Sequence, residues 1–249
     1  MCWLNSTCGK CKYCLSGKEN YCPDIKSTGW DEDGGYAEYI TVLEDIVLPL
    51  NDSRLKPADI VPLMCPGIAG YAAFKLTKAQ KDSKLGLYGF GPTAFCVLKI
   101  AKSMGIEVYV STRSSKNIEY AIDEGADWAA DTAKEQMSGK LDSAIVFPPA
   151  GNLVEPVLSQ VEKGGIVVLA PVSSSPIVIE NYNENLWGRT IETLYNLKKS
   201  EADEFLEIAD RLQIKPERGV FPFEELQDVL IAVRHGKAKV ANSVIEIAD

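Results

Sequence analysis

Four cysteines, Cys8, Cys11, Cys14 and Cys22, stand within the stretch CGKCKYCLSGKENYC near the start of the sequence. Thiolates held this close repel one another, and a tetrahedral divalent cation relieves the repulsion while crosslinking the loop. Zinc held by four sulfurs at roughly 2.3 Å keeps no position open for substrate, so the chemistry implied is structural rather than catalytic. Two disulfides or unrelated free thiols are the competing readings. The opening MCWLNST has neither the charged start nor the apolar run of a secretory signal. A reducing, cytoplasmic location is therefore the expectation, and it favours the metal.

A second group of residues suggests phosphate recognition. Gly89, Gly91 and Ala94 in GFGPTA fit G-x-G-x-x-(G/A), with Pro92 and Thr93 between them. Glycine at the first two positions allows a tight turn and lets backbone N–H groups approach a pyrophosphate at the positive end of a helix. A sharp strand-to-helix turn with no ligand is the plain alternative. The apolar run before the motif and the helically spaced Val97, Leu98, Ala101 and Met104 after it supply the context a dinucleotide site needs. About twenty residues on, where an acid usually meets the ribose 2′-hydroxyl of NAD, the chain carries Ser111, Thr112, Arg113, Ser114, Ser115 and Lys116. Cations and hydroxyls suit a 2′-phosphate, so NADP is favoured over NAD, against the alternative of a solvated polar loop.

His235 is the only histidine. It lies where a helix is expected to end at Gly236, a position where a cation suits the helix dipole. Mechanisms that need a catalytic histidine or several histidine ligands would all have to pass through this residue. The 249 residues are 46% apolar and 24% charged, ordinary for a globular protein. A net charge of −9 without a basic patch argues against a nucleic-acid partner. Apolar runs such as GIVVLAPV are too short for a membrane span.

The elements that must position these residues follow from periodicity. GGYAEYITVLEDIVLPL alternates as strands separated by a turn would. From residue 84 onward, KLGLY, EVYVST, WAADT, LDSAIVF, GGIVVLAPV and TIETLYNL read as strands, with helices after GFGPTA and at KNIEYAIDEG. Strands alternating with helices predict βαβ units in a parallel sheet. Beyond Asn196 come a helix at SEADEFLEIADRLQ, with Ser200 as its cap and Asp203 as the capping-box acid, then a helix at FEELQDVLIAVRHG and a final strand in KVANSVIEI.

Together the cysteine loop, GGYAEY, PLMCPGIAGY, GFGPTA and the GAD at 125–127 resemble the zinc-containing medium-chain alcohol dehydrogenases, in that family's order and over essentially the whole chain. The resemblance implies an α/β fold. It would comprise a doubly wound Rossmann sheet plus the remnant of a GroES-like β domain bearing a structural zinc lobe. The expected domains are 1–50 for the lobe and remnant, 51–198 for the Rossmann domain, and 199–249 for a segment returning to the catalytic domain. It implies reversible hydride transfer between a small alcohol or aldehyde and NAD(P), in a homo-oligomer. Cys8, Cys11, Cys14 and Cys22 would hold the structural zinc, and Cys65 would be a catalytic zinc ligand.

The family's other catalytic ligands, a cysteine and a histidine in Gly-His-Glu, lie upstream of the structural loop, and no Gly-His-Glu occurs in this sequence. Cys2 matches no family ligand, Cys96 reads as a packed apolar residue, and Ala69 stands where many relatives carry a threonine. The expectation is a chain truncated before its first zinc ligands, with impaired activity. A dinucleotide- and zinc-binding module without turnover is the alternative, and a third is a regulatory chain that completes its sheet with a partner.

Overall fold

The computed structural model describes residues 1–50 and 53–247. The chain forms two compact units, one from Met1–Cys65 and Asn196–Asp249, the other from Pro66–Tyr195. In the first, β1 (Asn5–Ser6) and β2 (Lys26–Ser27) make a two-residue antiparallel ladder. Helix α1 (Pro57–Pro62) follows and opens into a wide π-type turn at Leu63–Gly67. The strands expected within 34–50 are absent among the described residues. Only Val47 meets another strand-like residue, in an isolated bridge to Cys2. Alternation makes a ladder only where a second backbone lies alongside, and here Tyr36, Tyr39 and Leu43 are exposed instead.

The second unit carries the cofactor-type architecture. Helix α2 (Ile68–Thr77) leads to β3 (Lys84–Tyr88), α3 (Pro92–Ser103), β4 (Glu107–Ser111), α4 (Ser115–Asp123), β5 (Trp128–Ala130), β6 (Leu141–Val146), α5 (Val154–Gln160), β7 (Val161–Leu169) and β8 (Thr190–Thr193). All six strands are parallel, in the order β5-β4-β3-β6-β7-β8. Sequence order therefore reverses direction between β3 and β6, which is the doubly wound arrangement and its switch point. The strands read as near-continuous apolar runs because both faces are covered. Tyr88, Ala144 and Val146 share one face and pack with Val154 and Leu158 of α5. Between α2 and α3, a Cβ added at Gly70 would lie 2.8 Å from the Thr93 carbonyl oxygen.

The run Pro57–Thr77 is long and apolar enough by composition to cross a bilayer, yet 61% of its most apolar window is buried in protein, as in a core helix.

The first unit is completed by α6 (Lys199–Leu212), β9 (Gly219–Pro222), α7 (Leu226–Arg234) and β10 (Ser243–Glu246), with β9 and β10 parallel. Helix α6 starts one residue earlier than Ser200. Its N-cap is Lys198, whose N–H donates to the Glu201 carboxylate at 3.2 Å. Glu201 thus takes the role expected of Asp203. The buried Asp59 pairs with Arg218 at 2.7 Å, tying α1 to the segment before β9.

Two buried hydroxyls in the sheet, those of Tyr88 and Ser143, have no hydrogen-bond partner among the described residues. The Tyr88 hydroxyl meets no hydrogen-bonding atom among the described residues, and burial pushes its pKa up. An unsatisfied buried hydroxyl costs about 1–3 kcal/mol. Tyr88→Phe is therefore expected to raise the midpoint of thermal unfolding by about 2–4 °C for each kcal/mol relieved. A lower midpoint in a thermal melt would show that the hydroxyl contributes to stability.

Candidate functional site

The sheet register sets the first site. Tyr88 aligns with Ser111 and with Val146, so the residues that follow, Gly89, Thr112 and Phe147, leave the sheet at one level. Gly89 has φ +87°, the left-handed region that favours glycine, and its N–H donates to the Ser111 carbonyl at 2.8 Å. A Cβ there would lie 2.9 Å from the Pro148 ring, so the turn is also closed by packing. Gly91 has an extended backbone, and a Cβ there would meet nothing within 4 Å. What Gly91 preserves is space, as a cradle for a pyrophosphate requires. Gly91 is also the N-cap of α3, with no side chain capping it and Pro92 at the first helical position. The start of the helix thus offers backbone N–H groups and a positive dipole end without an internal acceptor.

A cleft of about 400 Å³ opens at this level. Gly89, Thr112 and Arg113 line it together with Ser111, Asp131 and Pro148. Gly91, Pro92, Thr93 and Ala94 form the adjoining turn into α3. Ala94 is fully buried there, which explains why the third motif position accepts only a small residue. Lys116 lies in the exposed first turn of α4. The Ser111 and Thr132 hydroxyls are 2.8 Å apart. The Asp131 carboxylate accepts from the Ala133 N–H and pairs with Lys134 at 3.4 Å, which offsets its charge in a cleft that also presents hydroxyls, Arg113 and the apolar Pro148, Ala150 and Leu153. These residues fit the pyrophosphate of a dinucleotide.

Asp131, Thr132 and Pro148 were not singled out from sequence. WAADT reads as a strand, and the end of that strand is the signal that points to Asp131 and Thr132. Pro148 follows an equally legible strand.

The second site is the cysteine lobe. The sulfurs of Cys8, Cys11, Cys14 and Cys22 all lie within 4.8 Å of one another, and those of Cys11 and Cys14 are 3.5 Å apart. Sulfurs about 2.3 Å from a shared tetrahedral zinc would be spaced at about 3.8 Å, so the set fits that ion. The lobe has no long element to hold it, only short 3-10 turns at Cys14–Ser16 and Glu19–Tyr21. Backbone N–H groups supply the polarity: Cys8 N–H points at Cys22 Sγ and Cys14 N–H at Cys11 Sγ, each at 3.5 Å. The N–H groups of Lys10 and Cys11 lower the Cys8 thiol to about 7. At Cys22 the Cys8 N–H favours the thiolate, but burial and the thiols of Cys8 and Cys14 outweigh it and hold the group up at about 11.

Cys65 is exposed. Among the described residues, the only group of three or more cysteine, histidine or carboxylate ligands is that of the lobe. The described residues therefore do not fit a catalytic zinc at Cys65, which needs about three protein ligands. Cys96 is buried in α3, where burial pushes its thiol up to about 12.

Residues 1–52 match the family model described as the alcohol dehydrogenase GroES-like domain. A probable alcohol dehydrogenase of Mycobacterium tuberculosis (strain CDC 1551 / Oshkosh) is 36% identical over 92% of this chain and 66% of its own length. An alcohol dehydrogenase of Geobacillus stearothermophilus is 30% identical over 94% of this chain and 71% of its own. The chain belongs to the medium-chain alcohol dehydrogenase family. It spans about two thirds of the length of the first of these family members. The family fold extends to a cinnamyl alcohol dehydrogenase of Sorghum bicolor, with a TM-score of 0.85 at 23% identity, over 98% of this chain and 72% of that one.

Proposed function

We propose that this family member is an alcohol dehydrogenase-type oxidoreductase that passes hydride reversibly between a small alcohol or aldehyde and a nicotinamide dinucleotide, with NADP preferred over NAD. The observation that carries the reading is the cleft at the switch point, where the Gly89 turn, the uncapped start of α3 and Arg113 lie at the ends of neighbouring parallel strands. The nicotinamide supplies the hydride chemistry when bound. The chain's own residues hold the cofactor: Gly91 admits the pyrophosphate, the first N–H groups of α3 favour its charge, and Arg113 and Thr112 face the ribose 2′-phosphate. Cys8, Cys11, Cys14 and Cys22 hold a zinc that crosslinks the lobe. A cytoplasmic location belongs to the same proposal, since a reducing compartment keeps four thiolates available to the metal. So does assembly of copies through an edge of the parallel sheet.

Titration with NADPH and NADH tests the cofactor. A charge-assisted hydrogen bond contributes about 1.5–3 kcal/mol. Arg113→Ala is therefore expected to weaken NADPH by about 10- to 100-fold while moving NADH by less than about 2-fold. Equal weakening of both, or tighter NADH in the unaltered chain, would overturn the NADP preference. A second reading, a dinucleotide- and zinc-binding module without turnover, is favoured by the missing companions of Cys65. Cofactor reduction with a panel of small alcohols separates the two, because binding without reduction supports the module.

A further inference from the structure

The two halves of the proposed cofactor site are joined by one side chain. Asn117, in the first turn of α4, donates from Nδ2 to the Phe90 carbonyl at 2.8 Å. Its own N–H donates to the Ser114 hydroxyl, the N-cap of that helix, at 3.3 Å. Phe90 is the central residue of Gly89-Phe90-Gly91, and Ser114 directly follows Arg113. Asn117 therefore touches the pyrophosphate turn with its side chain and the 2′-phosphate loop with its backbone.

The bond to Phe90 also determines a direction. The Phe90 carbonyl and the Gly91 N–H belong to one trans peptide, so they point opposite ways. Drawing the carbonyl toward α4 turns the Gly91 N–H away from it, on the residue whose Cβ position is open space. The rings around this peptide reinforce the link. Tyr120 of α4 stacks on Phe95 of α3 at 5.7 Å and meets Phe90 edge-on at 5.9 Å. Helix α4 thus bears on the turn through Asn117 and, one helical turn later, through Tyr120.

We propose that Asn117 is a positioning residue that orients the Phe90–Gly91 peptide toward the cofactor's pyrophosphate and couples that turn to the Arg113 loop. The inference rests on the dinucleotide reading of the cleft. It gives α4 a role in specificity, because a ligand that engages both loops gains from their fixed spacing while a ligand confined to one does not.

The test compares NADPH, which reaches both loops, with adenosine 2′-monophosphate, which reaches only the Arg113 side. Binding to the full chain is read by fluorescence or calorimetry together with thermal stability. Asn117→Ala is expected to weaken NADPH by about 10-fold, the value of one hydrogen bond, and adenosine 2′-monophosphate by less than about 2-fold. Asn117→Asp keeps the shape and places an acid in the first turn of a helix, which favours the helix, but it cannot donate to Phe90. It is expected to retain the melting temperature and still lose NADPH by at least as much. Equal loss of both ligands, or loss that follows melting temperature across the two variants, would show a merely structural role and overturn the inference. Unchanged NADPH binding in both variants overturns it alone. An unaltered chain that binds neither ligand overturns the dinucleotide reading and the inference with it.

Discussion

Gly91→Val is expected to leave the parallel sheet folded and to weaken NADPH by more than about 10-fold, because it fills the space through which a pyrophosphate approaches the backbone. Its backbone is extended and a Cβ meets nothing within 4 Å, so the protein itself offers no resistance to a side chain there. Gly89→Ala is the contrasting change. At φ +87° a side chain is strained, and its Cβ would press on the Pro148 ring at 2.9 Å. Strain and overpacking together are expected to cost about 2–4 kcal/mol. The pair separates two uses of glycine that one motif conceals. Thermal melts alongside NADPH titrations measure both, and a Gly91→Val protein that binds NADPH normally would remove the turn from the cofactor site.

Cys11→Ser is expected to reduce zinc from about one per chain to near zero, and to expose residues 8–22 to proteases, as chelation of the unaltered protein would. The lobe has two short turns and no helix or sheet core of its own, so the metal would supply the order that packing does not. Structural zinc binding in small peptides amounts to about 10–16 kcal/mol, a scale on which losing one of four ligands is decisive. Elemental analysis and limited proteolysis are the measurements. Cys65→Ser should leave the metal content unchanged, because no companion ligands gather around that residue among those described. A second zinc lost in Cys65→Ser would instead point to a catalytic site that forms in solution.

Much of the second unit was legible because its signals are local. The strand-turn-helix around GFGPTA and the apolar runs of the strands are periodic patterns that need no distant partner to be recognised. Asn117 was not legible, because only the packing of α4 beside the turn brings its side chain to the Phe90 carbonyl. The strands expected within 34–50 failed for the complementary reason. Their alternation specifies a face but not a neighbour, and here only the isolated bridge of Val47 to Cys2 is made. The start of α6 slipped by two cap positions because Lys198 and Glu201 have the same spacing as Ser200 and Asp203. The four cysteines were legible by spacing, and the isolation of Cys65 by the lack of a Gly-His-Glu stretch, in keeping with the single ligand cluster among the described residues.

One unit is continuous in sequence and the other is not, and this bears on the order in which they can form during synthesis. Pro66–Tyr195 can complete its sheet from consecutive residues as they emerge from the ribosome. The first 65 residues cannot, since Asp59 awaits Arg218 and α1 awaits β10, well over a hundred residues later. Until then Asp59, buried in the finished fold, stays without its cation. Zinc captured early by the cysteine loop would give this waiting segment its first fixed point.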